Sequence, residues 1–375
     1  MKVLITGAEG FVGKNLKAEL LNKKYSYITP LYFDKQTPLE KLDEFCKECD
    51  FVIHLAGVNR PKLQEEFMEG NRDFLLLVLE KLEKYHNCVP FLITSSIQAS
   101  LDNPYGVSKR AGEELVFSYG RRNNVEVYVY RLPNVFGKWC RPNYNSAIAT
   151  FAYNIAHDLP IVINDRNHEM TLVYIDDLIH EIIDALNHQA HRENEYCFVP
   201  TTLHTTLGEI VDLFYSFKDF NKNLRVPNDD NLLEKYLYAT YISYLPKEAL
   251  ASNLLMHEDN RGSFTEIIRT IGQGQFSVNI THPGITKGNH FHQTKHEKYV
   301  VVQGTASIKL RRVGSNDIIE YIVSGERIEV VDIPCGYTHS ITNIGTDELI
   351  TFMWANEPFN PDRPDTIALE VKENE

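Results

Sequence analysis

The stretch MKVLITGAEGFVG, residues 1–13, decides the fold of the first half of this 375-residue chain. Residues 1–6 form a short apolar run typical of a buried strand, and residues 14–21 are typical of a helix. Glycines at such a strand-to-helix turn let backbone amides and the helix N-terminus approach a pyrophosphate without a Cβ in the way. The GxxGxxG pattern therefore predicts a dinucleotide-binding turn. The expected cofactor contacts are Gly7, Gly10, Phe11, Val12 and Gly13.

Strand-like and helical stretches alternate after this turn. The strand-like runs are 27–33, 51–55, 89–95 and 125–130, and the helical stretches include 74–84 and 108–119. Such alternation predicts an α/β unit with a doubly wound parallel sheet of the Rossmann type, which binds ligands at its carboxyl edge. Leu55, Ala56 and Gly57 end the third strand and are expected to line the cofactor.

The second strand ends with an acid and a cation side by side, Asp34 and Lys35. An acid suits the two ribose hydroxyls of NAD, whereas a cation suits the 2′-phosphate of NADP. The sequence favours NADPH with contact by Lys35. NADH remains an alternative, and both charges can also be solvated loop residues.

The fourth strand and the helix after it carry residues suited to proton transfer. Tyr105 and Lys109 are spaced i and i+4, so they share one helix face, and Ser96 ends the strand before them. An ammonium beside a phenol and the nicotinamide ribose stabilises phenolate, and a phenol so tuned can exchange a proton with a sugar hydroxyl or ketone. We predict that Ser96, Tyr105 and Lys109 are catalytic, with Tyr105 and Lys109 also contacting the cofactor.

Composition and charge exclude several classes of protein. The formal net charge is −13, so the surface should repel nucleic acid and anionic lipid. Mean hydropathy is −0.30, and there is no long apolar run for a membrane span. Residues 1–7 contain too few consecutive apolar side chains for a signal peptide. These features predict a cytoplasmic protein that has no membrane or nucleic-acid partner.

The pattern of apolar and polar residues changes along the last third of the chain. Residues 201–250 look helical, with Thr206 and Glu209 spaced as a capping box, and are interpreted as a lid over the substrate site; Pro246 interrupts a helix there. From Met256, short alternating strands with Gly and Pro turns indicate an antiparallel barrel. The predicted limits are 1–245 for the first domain, 246–255 for a linker and 256–375 for an all-β domain.

Four potential metal ligands lie in this second domain. His290 and His292 alternate along a strand, and Glu297 and His339 can close a site from neighbouring strands. Three imidazoles and a carboxylate suit a divalent transition metal, with zinc the expected ion. Four scattered polar residues in a barrel interior are the alternative interpretation.

The first-half motifs resemble those of the extended short-chain dehydrogenase/reductase family that acts on nucleotide sugars. Residues 131–137, RLPNVFG, are similar to the family's RxxNVYG, and residues 174–178, YIDDL, to its V-D-D-L strand. Ile97 and Gln98 stand where the family's sugar dehydratases carry Asp-Glu, which disfavours dehydration, and Met170 stands where the family has an arginine. Candidates for the substrate contacts are therefore Asn134, Arg166, Asn143 and Asn145, and each can equally be a structural polar residue.

The second half resembles the cupin motifs, and residues 259–266, DNRGSFTE, resemble the opening of cupins that epimerise deoxysugar nucleotides. Along its whole length the chain resembles the bifunctional reductase/epimerases of capsular polysaccharide synthesis, in the UDP-N-acetyl-L-fucosamine pathway. The resemblance implies a UDP-linked 4-keto-6-deoxy-2-acetamido sugar, epimerised at carbon 3 by the cupin and reduced at carbon 4 with NADPH to UDP-2-acetamido-2,6-dideoxy-L-talose.

Several points stay open at this level. The base of the cupin is not assigned among Lys287, His296 and Tyr337. One alternative is an NAD-retaining UDP-sugar 4-epimerase with a structural cupin, and another is a non-catalytic NADP sensor or scaffold. Exposed edge strands of the barrel predict a homodimer.

Overall fold

The computed structural model describes residues 1–270, 272, 274–362 and 364–372. The chain divides into two compact units. The first contains residues 1–215 and 236–246, and the second contains residues 216–235 together with the chain from residue 247 onward. The sequence-based limits place residues 216–235 in the first domain, and those limits remain a prediction.

The first unit is built on a parallel sheet whose strands run in the order β2-β1-β3-β4-β5-β9-β8, with β1 to β5 and β9 parallel and β8 antiparallel to β9. A smaller sheet has the order β10-β7-β6. The strands are β1 (Lys2–Thr6), β2 (Thr29–Phe33), β3 (Phe51–His54), β4 (Phe91–Ser96), β5 (Val127–Leu132), β6 (Asn134–Phe136), β7 (Glu169–Tyr174), β8 (Arg192–Glu193), β9 (Tyr196–Cys197) and β10 (Leu203–Thr206).

Helices follow the strands along the chain. They are α1 (Phe11–Glu19), α2 (Leu39–Glu48), α3 (Glu66–Met68), α4 (Phe74–Lys84), α5 (Pro104–Asn123), α6 (Ala147–Ala156), α7 (Ile175–Leu186), α8 (Leu207–Lys218), α9 (Phe220–Asn223) and α10 (Leu232–Ile242). Short 3₁₀ turns occupy Lys23–Tyr25, Ile97–Ser100 and Lys247–Leu250, and Glu69–Asp73 is a π-helical turn. The predicted doubly wound α/β fold is confirmed.

Burial explains why the strands of the parallel sheet have nearly continuous apolar sequences. All four residues of β3 are buried, because helices cover both faces of a parallel sheet. One face packs Val52 and Val129 against Leu79 of α4 and Tyr119 of α5. This packing fixes the sheet relative to α5, the helix that carries Tyr105 and Lys109.

The region between residues 201 and 250 differs in part from its helical prediction. Residues 203–206 form β10, which pairs antiparallel with β7, so the helix begins only at Leu207. The capping residues are right: the Glu209 amide donates to the Thr206 hydroxyl at 3.2 Å. β-branched threonines favour pairing with an available strand edge, and this tertiary contact overrides the helical pattern.

The second unit contains two antiparallel sheets with the orders β11-β12-β13-β20-β15-β18 and β17-β16-β19-β14-β21. Its strands are β11 (Met256–Asp259), β12 (Gly262–Thr270), β13 (Gly274–Thr281), β14 (Thr286–Phe291), β15 (Glu297–Gln303), β16 (Thr305–Arg312), β17 (Ile318–Ser324), β18 (Val330–Ile333), β19 (Tyr337–Asn343), β20 (Leu349–Ala355) and β21 (Ile367–Ala368). Apolar side chains such as Val301, Ile308 and Ile341 fill the space between the sheets. The all-β cupin-like prediction is confirmed.

No helix among the described residues combines the length and apolar character needed to cross a membrane.

A buried carboxylate in the first unit generates a stability prediction. Glu181 of α7 accepts hydrogen bonds from the Tyr130 hydroxyl at 2.8 Å and from the His191 amide at 2.9 Å. We expect Glu181→Ala to lower the free energy of unfolding of this unit by about 1–3 kcal/mol, because both donors lose their acceptor. Thermal unfolding of the full chain measures this, with the exposed Glu80→Ala as control. Equal melting of the two variants would contradict the role of Glu181.

Candidate functional site

The glycine turn after β1 is shaped to admit a ligand close to the backbone. Gly7 has φ +70°, and a Cβ there would lie 2.6 Å from the Ala56 nitrogen. A Cβ on Gly13 would lie 2.6 Å from the Ala8 carbonyl oxygen. Gly10 is the N-cap of α1, so no side chain occupies the first amides of the helix. The turn therefore brings Gly7, Gly13 and Ala56 together and leaves the positive end of α1 available for an anion.

The acid and the cation after β2 occupy different environments. Asp34 accepts hydrogen bonds from the Gln36 amide at 2.8 Å and the Thr37 hydroxyl at 3.3 Å, so its carboxylate stabilises its own turn. Lys35 is exposed. This arrangement leaves the Lys35 ammonium better placed than Asp34 to meet a charged ligand.

The start of α5 places Tyr105 and Lys109. Asn103 caps the helix by accepting the Gly106 amide at 2.8 Å, and Pro104 occupies its first turn. The short turn Ile97–Ser100 and its C-cap Leu101 pack so closely on this helix that a Cβ on Gly106 would lie 2.7 Å from the Leu101 carbonyl oxygen. The turn after Ser96 therefore supports the start of the helix beside the end of β4.

The structure places Ser96, Tyr105 and Lys109 near one another. The Lys109 ammonium lies 5.9 Å from the centre of the Tyr105 ring and donates to the Thr94 carbonyl at 3.0 Å. Burial raises the pKa of Tyr105, and the nearby Ser96 hydroxyl opposes that rise. The phenol therefore carries its proton at neutral pH, as a proton donor must.

Lys109 is half-buried, and this burial destabilises the charged form of its side chain. Desolvation lowers the pKa of Lys109 to about 8, although the nearby Glu113 carboxylate raises it. A Cβ on Gly57 would lie 3.3 Å from the Lys109 ammonium and 2.9 Å from the Asn71 side-chain oxygen. Gly57 is needed here because only a residue without a Cβ leaves room for both side chains.

A buried ion pair connects α5 to β5. Glu113 of α5 is 2% exposed and forms a two-point pair with Arg131 of β5, at 3.0 Å and 2.6 Å. The Ser95 hydroxyl donates to the same carboxylate at 2.5 Å. These contacts tie α5 to the end of β4 and fix the distance between Tyr105 and Ser96.

Sequence reasoning missed Asn71. It lies in the π-helical turn before α4, where its side-chain oxygen accepts the Val58 amide at 2.8 Å and its nitrogen donates to the Ser108 hydroxyl at 3.0 Å. The side chain joins the loop after β3 to α5. The available signal was a lone asparagine at the start of an apolar helical run.

The predicted substrate residues lie in separate settings. Arg166 pairs with Asp212 at 2.7 Å on the surface. Asn134 is exposed and donates to the Thr171 carbonyl at 3.4 Å, and Asn145 is exposed. Asn143 has φ +52° and donates to Asn154 at 3.2 Å. Arg166, Asn134 and Asn143 each contact a different partner, and the role of all four residues stays a prediction.

The second unit gathers the four predicted metal ligands. The ligand atoms of His290, His292, Glu297 and His339 all lie within 4.8 Å of one another. A register shift between Gly288 and His290 places His290 directly opposite His339 on β19. Glu297 begins β15 in the other sheet. The cluster therefore lies between the two sheets, with ligands from both.

The protonation of this cluster fits a metal site. Burial, followed by the nearby His339 and His292, lowers the pKa of His290 to about 4. Burial raises the pKa of Glu297, but the neighbouring His292 and His339 rings outweigh it and hold the pKa well below its usual range. The Nε2 atom of His292 is buried and has no hydrogen-bond partner among the described residues. A neutral imidazole, an ionised carboxylate and an unpartnered nitrogen are the donors that zinc requires.

The structure separates the candidate bases of this unit. Lys287 donates to Asn279 at 2.7 Å, to the Ile280 carbonyl at 2.8 Å and to the Ser263 carbonyl at 3.3 Å, so its three donor positions are occupied. His296 is exposed beside Trp354, with ring centres 5.6 Å apart. Tyr337 is two residues from His339 on β19 and therefore shares its face. The geometry favours Tyr337 over the other two.

Two family profiles match the chain. Residues 3–197 match the NAD dependent epimerase/dehydratase family, and residues 257–367 match the polysaccharide biosynthesis C-terminal domain. The chain is 42% identical over 373 residues to the UDP-2-acetamido-2,6-beta-L-arabino-hexul-4-ose reductase of Pseudomonas aeruginosa, and the match covers 100% of both proteins.

Two solved structures are similar to this chain to different extents. The capsular polysaccharide assembling protein CapF from Staphylococcus aureus is 51% identical, with a TM-score of 0.92, and the match covers 99% of this chain and 100% of that chain. The structure of RMD from Pseudomonas aeruginosa complexed with NADPH is 21% identical, with a TM-score of 0.52 over 65% of this chain and 97% of that chain. At that identity the likeness shows the fold alone.

The pKa of Lys109 generates a pH prediction. The ammonium is the form that stabilises phenolate, and it is lost as pH rises through about 8. We expect kcat/KM for reduction of a keto substrate to be insensitive to this group below that pH and to fall by up to tenfold per unit above it. Lys109→Arg keeps its charge, so its alkaline limb should move to higher pH at a lower overall rate. An unchanged limb in Lys109→Arg would assign it to another group.

Proposed function

The chain belongs to the NAD dependent epimerase/dehydratase family, and on that premise we propose that it is a bifunctional enzyme of UDP-sugar metabolism for surface polysaccharide. The family and the full-length relatives bear out the prediction of an NAD(P)-dependent nucleotide-sugar enzyme of capsule synthesis. The proposed substrate is a UDP-linked 4-keto-6-deoxy-2-acetamido sugar. The cupin epimerises it at carbon 3, and the first unit reduces carbon 4 to give UDP-2-acetamido-2,6-dideoxy-L-talose.

One observation carries this proposal. Tyr105, Ser96 and Lys109 form a proton-transfer set beside a glycine turn, in a chain that matches a named hexul-4-ose reductase from end to end. A scaffold or sensor has no need of that set. The accompanying His and Glu cluster gives the second unit a chemistry of its own.

The first unit supplies the groups for ketone reduction. Bound NADPH supplies the hydride for carbon 4. Tyr105 donates a proton to the carbonyl oxygen, Ser96 orients that oxygen, and the Lys109 ammonium stabilises the phenolate that remains. The exposed Lys35 and the internally bonded Asp34 support NADPH over NADH.

The second unit supplies a site for a divalent ion, which we take to be zinc. When bound, the ion supplies a Lewis acid for the keto oxygen, which makes the hydrogen on carbon 3 more acidic. His290, His292, His339 and Glu297 would hold it. Tyr337, on the same strand face as His339, is the group that we place nearest to the proton transfer.

We further propose a cytoplasmic homodimer that pairs through the second unit. β17 and β18 are the end strands of their sheets. They and the turn between them expose large apolar side chains, including Tyr321, Ile322, Ile328 and Val330. An apolar sheet edge is stabilised by pairing with a second copy.

Substitution at Tyr105 tests the reductase. We expect Tyr105→Phe to lower kcat for NADPH oxidation by about 10²–10⁴-fold, because the proton donor is lost while the ring remains. NADPH absorbance measures the rate with a UDP-4-keto-6-deoxy-N-acetylhexosamine. Tyr153→Phe, a half-buried tyrosine of α6, serves as control. Unchanged oxidation by Tyr105→Phe would refute the assignment.

A wild-type chain that is inactive with NADPH and NADH but retains tightly bound NAD would favour the 4-epimerase alternative.

Deuterium exchange tests the epimerase separately. In deuterated water without NADPH, we expect wild-type enzyme and Tyr105→Phe to introduce deuterium at carbon 3, and His290→Ala to lose that exchange. NMR of the sugar carbons measures the label, and metal removal by a chelator should have the same effect as His290→Ala. Exchange that survives both treatments would make the metal structural.

A further inference from the structure

A C-terminal segment forms part of the walls of the metal cluster. This segment, residues 364–372, is called the C-terminal strap here. β21 within it pairs with β14, with Ala368 opposite His290. Arg311, a buried side chain of β16, donates to the Val371 carbonyl at 2.7 Å and to the Glu370 carbonyl at 2.7 Å. The strap is therefore anchored at its far end by a buried cation.

The strap contacts the ring of one candidate ligand directly. The Nδ1 atom of His292 lies 2.5 Å from the Asp365 main-chain carbonyl oxygen. A carbonyl oxygen can only accept a hydrogen bond, so Nδ1 carries the proton. In the neutral form that coordination requires, the Nε2 atom then has a free lone pair, and it is this buried atom that lacks a hydrogen-bond partner among the residues described. The contact selects the nitrogen that faces Glu297, 3.6 Å away.

The side chain of the same residue fixes the loop between two ligands. The Asp365 carboxylate accepts the amides of Gln293 at 2.9 Å, Thr294 at 2.9 Å and Lys295 at 3.0 Å. These amides belong to the loop that joins His292 to Glu297. Three hydrogen bonds to one charged acceptor hold this loop in a single conformation.

A third contact reaches the strand of His339. The hydroxyl of Thr338, which is fully buried, donates to the Leu369 carbonyl. Thr338 directly precedes His339 on β19. Through β14, the loop and β19, the strap is bonded beside all four candidate ligands.

We propose that Asp365 is a positioning residue of the metal centre: its carbonyl orients His292 for coordination through Nε2, and its carboxylate holds Glu297 at coordinating distance. This inference rests on the proposed metal centre and extends it to a segment that no ligand motif marks. Hydrogen-bonded partners of metal ligands set affinity, and their loss costs about 10- to 100-fold.

The test compares metal affinity among variants of the full chain. Zinc dissociation constants are measured by competition with a chromophoric chelator. Asp365→Ala removes the carboxylate, and with it the three contacts that hold the Asp365 carbonyl against His292, so we expect this variant to bind zinc about 10- to 100-fold more weakly than wild type. Asp365→Asn keeps one acceptor oxygen and should fall between the two. Asp362→Ala removes an exposed carboxylate two residues before the strap and should match wild type.

Two further readouts separate positioning from folding. At saturating Co²⁺, the visible absorption of Asp365→Ala should differ from that of wild type, because the ligand geometry has changed. Melting of the metal-free proteins with excess chelator shows whether the variant is folded, and if Asp365→Ala is not, Asp365→Asn decides. NADPH-dependent reduction of an already epimerised substrate should stay at the wild-type rate.

Each outcome decides a different point. Weaker zinc binding by the folded variant, with rescue by asparagine, supports the proposal. Wild-type affinity and Co²⁺ spectrum in Asp365→Ala overturn it while leaving the metal centre intact. A wild-type chain that binds no zinc overturns the metal centre and this inference together, whereas failure of the reductase assay alone bears only on the proposed function of the first unit.

Discussion

The half-buried ammonium of Lys109 is the constraint around which the first unit is arranged. A lysine that loses water is destabilised in its charged form, and this cost is offset only by acceptors fixed at short distance. The Thr94 carbonyl and the nearby Glu113 carboxylate fulfil that role. Gly57 leaves space for the side chain, and the Glu113–Arg131 pair holds the helix that carries it. The arrangement of these residues around Lys109 is what stabilises one cation in this place.

In the second unit, the corresponding constraint is the orientation of the histidine rings in the metal cluster. Its histidines must keep a lone pair available, so each ring needs an acceptor on the nitrogen that faces away from the cluster. The Asp365 carbonyl does this for His292, and the Tyr337 carbonyl lies 3.5 Å from Nδ1 of His339. Tyr299, fully enclosed, donates to Glu297 at 3.1 Å. The ligands are thereby oriented by the barrel walls themselves.

The sequence alone predicts the features of this protein that depend on short local patterns. The glycine turn, the spacing of Tyr105 and Lys109 and the four cupin ligands are short-range signals, and the structure brings the members of each together. It could not find Asp365, because that residue lies 70 to 72 positions from the amides that it holds, in a segment with no periodic pattern. It also mistook β10 for helix, since the edge of β7 that captures those threonines is a tertiary feature.

Desolvation lowers the pKa of one side chain at each site, but the two shifts have opposite consequences. It lowers the pKa of His290 to about 4, which keeps that imidazole neutral and able to coordinate an ion throughout the neutral range. It lowers the pKa of Lys109 to about 8, which brings the loss of a needed charge closer to neutrality. Acid therefore acts against the metal cluster, by protonating His290, and base acts against the first unit, by removing the Lys109 charge. The two shifts leave both groups in the required form at neutral pH.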